Sequence, residues 1–301
     1  MALQRLKQHF KIMRDGILAN TRPGTRYLLA YLLALLASYI IVSAFKLAGG
    51  TIQISYYMLD GYYMFGTASL SAYTAAEIIA FGPAMTVVMT WCFRKALASW
   101  CAAGLMPARK ARVLELLLII SVSMLNAGIL VNRLFNVVSA QAKALYEETG
   151  SGYGNYVSAY FLDEIVGHQL MNAGFVAFYF VMAIAAPRDS VPLSRPEHAL
   201  NGGERLLVLA SSSVHGVIFS IENLEGQSMV FTLALMGSST CMLLLVMMAR
   251  RNKVLIMNRP FLMFITTQLV VMFVYAMIWG IALGVKPYYP YFYEPSELAS
   301  P

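Results

Sequence analysis

Few residues able to do chemistry lie inside the long apolar runs of this chain, and they fall into a small set. Glu77 sits in one run. Asp163, Glu164 and His168 sit in another, followed by Asn172. His215 sits in a third, with Glu222 and Asn223 near its end, and Asn126, Asn132 and Arg133 sit in a fourth. Residues at i and i+4, or i and i+7, share a helix face. Glu164, His168 and Asn172 therefore make one stripe, and Ser211, His215 and Glu222 make a second, while Asp163 points to another side, toward the rim. Gly167 and Gly216 stand beside the two histidines, and small residues let helices approach closely. Facing stripes would bring two imidazoles and several carboxylates together.

That set suits a divalent metal, zinc or iron, with His168, His215, Glu222 and Glu77 as ligands. A bound metal lowers the pKa of its water and polarises a carbonyl or phosphoryl oxygen. Glu164 or Asp163 then serves as general base and Ser211 orients the substrate, with Asn172 and Asn126 supporting from behind. The reaction expected is metal-dependent hydrolysis or modification of a lipid or other amphiphile. The Glu-x-x-x-His spacing is neither the His-Glu-x-x-His of zincins nor the Glu-x-x-His of di-iron bundles. Three other readings use the same residues. Buried Glu/His pairs serve proton- or ion-coupled transporters and channels, and Gly82–Pro83 could break its helix as binding-site helices are broken. A b-type haem could be held between His168 and His215. A plain polar network could fix helix packing.

The elements that must carry these residues are membrane helices. Of 301 residues, 59% are hydrophobic and 12% charged, and the mean hydropathy is +0.63. Soluble domains carry about 25% charged residues, so a soluble enzyme, a disordered chain and a nucleic-acid binder are set aside. A bilayer core needs about 20 apolar residues in a helix. Segments near 27–48, 69–93, 113–135, 158–186, 205–222, 228–249 and 261–284 meet that length. They are too long for barrel strands and lack period-2 alternation. The predicted fold is all-α, a seven-helix transmembrane bundle.

Orientation follows from Lys and Arg. With the N-terminus inside, 18 of the 22 basic residues fall in inside segments, leaving Lys46, Arg133, Lys143 and Lys286 outside. The C-terminus is then outside, and the net charge of +7 reads as a topology signal in a cell membrane. At 1.5 Å per residue, Glu77, Glu164, His168, Asn126 and His215 all lie in the outer half of the membrane, about 9–15 Å deep.

The flanks divide the chain into three parts. Residues 1–26 place Leu3, Leu6, Phe10, Met13 and Ile17 at helical spacing among basic residues, an interfacial cytoplasmic helix rather than a signal peptide. An organellar targeting peptide is the alternative there. Residues 27–284 form the bundle, and 285–301 form a Tyr/Pro-rich outside tail. Residues 52–66 are aromatic and suit interfacial anchoring or a lid over an outward site. Three cysteines make no disulfide framework. The last span has no lysine for a retinal Schiff base, and no Gly-x-Ser-x-Gly occurs.

Overall fold

The computed structural model describes residues 24–60, 62–185, 200–226, 228–249 and 259–283. The expected amphipathic segment up to residue 23 and the tail at 285–301 lie outside the described residues.

Helix α1 is Thr25–Ala48. An antiparallel hairpin follows, β1 Thr51–Asp60 and β2 Tyr62–Ser71, in register from Thr51 opposite Ser71 to Asp60 opposite Tyr62. Helix α2 is Ala72–Ala102 and α3 is Ala108–Thr149. Helix α4 runs through Tyr153–Tyr160, a π-helical turn Phe161–Gly167, and His168–Ala185. Helices α5 Gly202–Glu225, α6 Met229–Ala249 and α7 Pro260–Leu283 complete the order.

Six helices among the described residues are long and apolar enough to cross a membrane. Helix α6 has a shorter described apolar run, Met229–Met242. The outside of the bundle is apolar, with Ile40, Val87, Phe273 and Ile281 exposed, as a lipid-facing surface requires. Helix α3 has 42 residues, about 63 Å, twice the thickness of a bilayer core. It therefore continues well past the expected end at residue 135.

The hairpin is an addition to the all-α reading. Ile52 and Ile54 alternate with Gln53 and Ser55, and Asp60-Gly61 is hairpin-turn chemistry. The aromatic content of this stretch points to the interface and masks that period.

Local sequence explains the breaks. Ser71 caps α2, its Oγ accepting from the Thr74 amide at 2.9 Å. Asn201 and Glu204 form a capping box at the start of α5. Gly82 leaves helical geometry at ψ −106°, just before Pro83, so α2 is kinked where the sequence predicted it. The core at the end of the bundle away from the hairpin is built on Tyr31, Leu32, Phe93, Trp100 and Phe178.

Candidate functional site

Helices α3 and α4 meet without side chains between them. A Cβ on Gly128 would lie 2.2 Å from the Met171 amide nitrogen. One on Gly174 would lie 2.4 Å from the Leu125 nitrogen, and one on Gly167 would lie 2.7 Å from the Asn132 Cα. This glycine seam, of the kind that lets membrane helices touch, presses Asn132 against the π-helical turn.

That turn positions the acids. A π-helix closes i→i+5 bonds, so residues five apart come to one face. Asp163 and His168 thus both reach Asn132, where an unbroken α-helix sets them on different sides. Asn132 Nδ2–H groups donate to Asp163 Oδ1 and to His168 Nε2, each at 2.9 Å. Asp163 and His168 are both buried. The expectation that Asp163 points away toward the rim is corrected by this geometry. Glu164 Oε2 is 3.6 Å from His168 Nε2.

With Nε2 accepting from Asn132, a neutral His168 carries its proton on Nδ1. That nitrogen makes no side-chain hydrogen bond; it is directed at the Glu222 main chain and lies 3.7 Å from Glu222 Oε2, which has no hydrogen-bond partner. His168, Glu222 and Glu225 each offer a ligand atom, and these atoms lie within 4.8 Å of one another. The end of α5 is held there by Gly226, whose Cβ, if present, would lie 2.5 Å from the His168 Cβ.

Arg133 sits one residue from Asn132 and ties this group to α2. Its Nη2 donates to Glu222 Oε1 at 2.6 Å, and its Nε is 3.4 Å from Glu77 Oε2. Tyr73 donates to Glu77 Oε1 at 2.5 Å. One guanidinium thus joins three helices, and removing either sign would strand charge in a poorly hydrated place.

A cavity of about 380 Å³ opens beside this layer. Lys46, Glu77, Arg133, Glu222 and Glu225 line its charged end, and Leu35, Phe81, Met85, Met89, Phe175 and Phe219 line its apolar length.

His215 takes a different place from the one expected. It is 11 residues before Gly226, about 16 Å away along α5, whereas His168 abuts Gly226. Both ring nitrogens of His215 are engaged, Nδ1 with the Tyr39 hydroxyl and Nε2 with the Tyr179 hydroxyl at 2.5 Å. Its ring stacks on Phe219 and Phe264 and leans on Phe175. The two histidines therefore do not share an ion, and no haem can be held between them as the matched-depth reading required.

The remaining expected residues separate in the same way. Ser211 Oγ donates to the Leu32 carbonyl at 3.1 Å, clamping α5 to α1. Asn172 donates to Ser228 Oγ at 2.6 Å, and Ser228 and Thr232 donate to Asn223 Oδ1, a network joining α4, α5 and α6. Asn126 Oδ1 lies at the α2 kink, 3.1 Å from where a Gly82 Cβ would be. Asp163, Glu164, His168 and Glu222 converge, with Glu77 linked through Arg133. Glu225 is outside the expected set, and Asn132 and Arg133, named there only as polar residues at the end of a span, take the central positions. Glu225 follows Glu222 by one helical turn, a signal lost once the span is ended at 222.

The chain matches no known protein-family model, no curated protein and no solved structure.

Proposed function

We propose that this chain is a metal-dependent membrane hydrolase acting on an amphiphile held in the cavity. One observation carries the reading. Two buried ligand atoms, His168 Nδ1 and Glu222 Oε2, face each other at 3.7 Å with Glu225 in the same group. Ligands about 2.1 Å from a tetrahedral ion stand roughly 3.4 Å apart, so small movements admit a cation between them. One nitrogen and two carboxylates suit zinc or iron and leave a position for water.

Binding at Nδ1 displaces the proton that faces Glu222. Asn132 holds the ring from the other side, the supporting role that metal-bound histidines need. Glu164, 3.6 Å from His168 Nε2 on the ring edge that Asn132 also meets, is taken as the general base for the attacking water. In hydrolysis that water adds to the substrate carbonyl or phosphoryl group. The bond to the leaving oxygen breaks, and the proton passes to that oxygen. Glu222 and Glu225 line both the ligand group and the cavity mouth, so a substrate in the cavity meets the metal there.

The same reading takes α6 as a seventh span and the N-terminus as inside. It places the charged end of the cavity toward the outer leaflet of the cell membrane. The basic residues support this direction, with Arg94, Arg109, Lys110 and Arg112 flanking the α2–α3 turn at the opposite end.

The test is turnover. Purified protein is offered ester- and phosphate-bearing lipids with and without a chelator. The proposal expects product that disappears on chelation, returns with zinc or iron, and is lost in Glu164→Gln. No turnover that depends on metal contradicts it.

Coupled transport is the second reading, favoured by the break at Gly82–Pro83 beside the cavity. Metal-independent flux of an ion or amphiphile across a vesicle wall would select it.

A further inference from the structure

We infer that the break in α2 is a binding site for one small monovalent cation, the size of sodium, held by Asn126 Oδ1, Thr86 Oγ1 and the carbonyl of Gly82. This site is separate from the His168 group. It rests neither on a metal being bound there nor on hydrolysis.

Gly82 lies 10 residues into α2, about 15 Å, near the middle of a bilayer core. Backbone polar groups at that depth need partners from the protein. The break leaves them short. Pro83 has no N–H to give, and Gly82 at ψ −106° turns its carbonyl out of the helical ladder. The Met85 N–H is shared between the carbonyls of Ala80 and Gly82. Helical hydroxyls elsewhere in the chain donate to the carbonyl four residues earlier, as Ser121 does to Leu117 and Thr240 to Met236. For Thr86 that carbonyl is the turned one of Gly82. Its Oγ1 is buried without a hydrogen-bond partner. Across from the break, on α3, Asn126 Oδ1 is buried and unpartnered too, 3.1 Å from where a Gly82 Cβ would be.

The donor set names the ligand class. All three atoms are oxygens, which select hard cations over zinc or iron. Calcium and magnesium sites are built with carboxylates, and this set has none, so neutral oxygens are left to balance a single charge. Broken membrane helices hold sodium in this way, through unwound carbonyls at mid-depth. The glycine keeps the site tight, since even a methyl group there would press on Asn126 Oδ1. The approach suits a cation. Phe81, next to the break, lines the cavity, whose mouth sets three carboxylates, Glu77, Glu222 and Glu225, against Lys46 and Arg133. Glu77 stands five residues before Gly82, about 8 Å along α2.

The test is binding of radioactive sodium to the full-length protein in detergent. EDTA keeps divalent metals away, and choline holds the ionic strength constant. A single saturable sodium site is expected. Thr86→Val and Asn126→Leu should each weaken it at least tenfold, and Thr86→Ser, which keeps the hydroxyl, should retain it. In sodium-free buffer Thr86→Val should melt no lower than the wild type, because it deletes a buried hydroxyl that has no partner. Its lost binding is then not a loss of fold. No saturable sodium binding overturns the proposal and leaves these oxygens to water. Undiminished binding in Thr86→Val overturns it as well, because the ion then sits elsewhere.

Discussion

The Asn132 amide donates to Nε2 of His168, and that single bond decides which ring nitrogen faces Glu222. Asn132 is itself held by Asp163 on its other Nδ2–H. The imidazole is therefore oriented from behind by a chain of two residues, neither of which is in the proposed ligand group.

Asn132→Ala should weaken metal binding about 10- to 100-fold, the usual effect of losing such support. Titration of the stripped protein with zinc against a competing chelator reads this directly. An unchanged affinity would mean that His168 is oriented by packing alone.

Gly226→Ala should act on the same ring from the opposite side. The new methyl meets the His168 Cβ at 2.5 Å, so the ring or the end of α5 must move. The expectation is a loss of metal affinity of at least tenfold with helix content retained by circular dichroism. Overpacking of this kind costs about 1–3 kcal/mol, which a modest fall in melting temperature would register.

Arg133→Ala should destabilise the bundle by about 2–4 kcal/mol, since it strands both Glu77 and Glu222. The figure lies below that for a fully buried pair because these side chains keep some exposure. Denaturant or thermal unfolding in mild detergent measures it. Arg133→Lys should recover only part of the loss, because an ammonium cannot hold two carboxylates with a planar fork.

His215→Ala should separate the two histidines. It empties an aromatic box and leaves the Tyr39 and Tyr179 hydroxyls without their partner. A cost of about 3–5 kcal/mol follows from the lost ring and the unpaired hydroxyls. Metal content per folded chain should not change. Loss of metal at unaltered stability would return His215 to the ligand group.

These contrasts show what the sequence could and could not tell. Apolar length gave the six long apolar helices found among the described residues, and Pro83 after Gly82 marked the kink, because both depend on local chemistry alone. Glu164, His168 and Glu222 were legible as costly residues in apolar runs that come together. The partners of His215 were not legible, since Tyr39 and Tyr179 come from α1 and α4, distant in sequence. The face of Asp163 differs from that of a straight α-helix because residues Phe161–Gly167 form a π-helical turn. A π-helical turn changes the angle per residue, and nothing in Phe161–Gly167 alone signals it. Glu225 was lost to a boundary set one turn short. The hairpin at 51–71 was obscured by aromatic residues that suit an interface equally well.

The most direct test of the metal site is elemental analysis of the detergent-purified protein beside His168→Ala and His215→Ala. The account predicts about one zinc or iron per chain, lost in His168→Ala and kept in His215→Ala. A wild-type protein without metal after purification in its presence, or equal metal in His168→Ala, would contradict it.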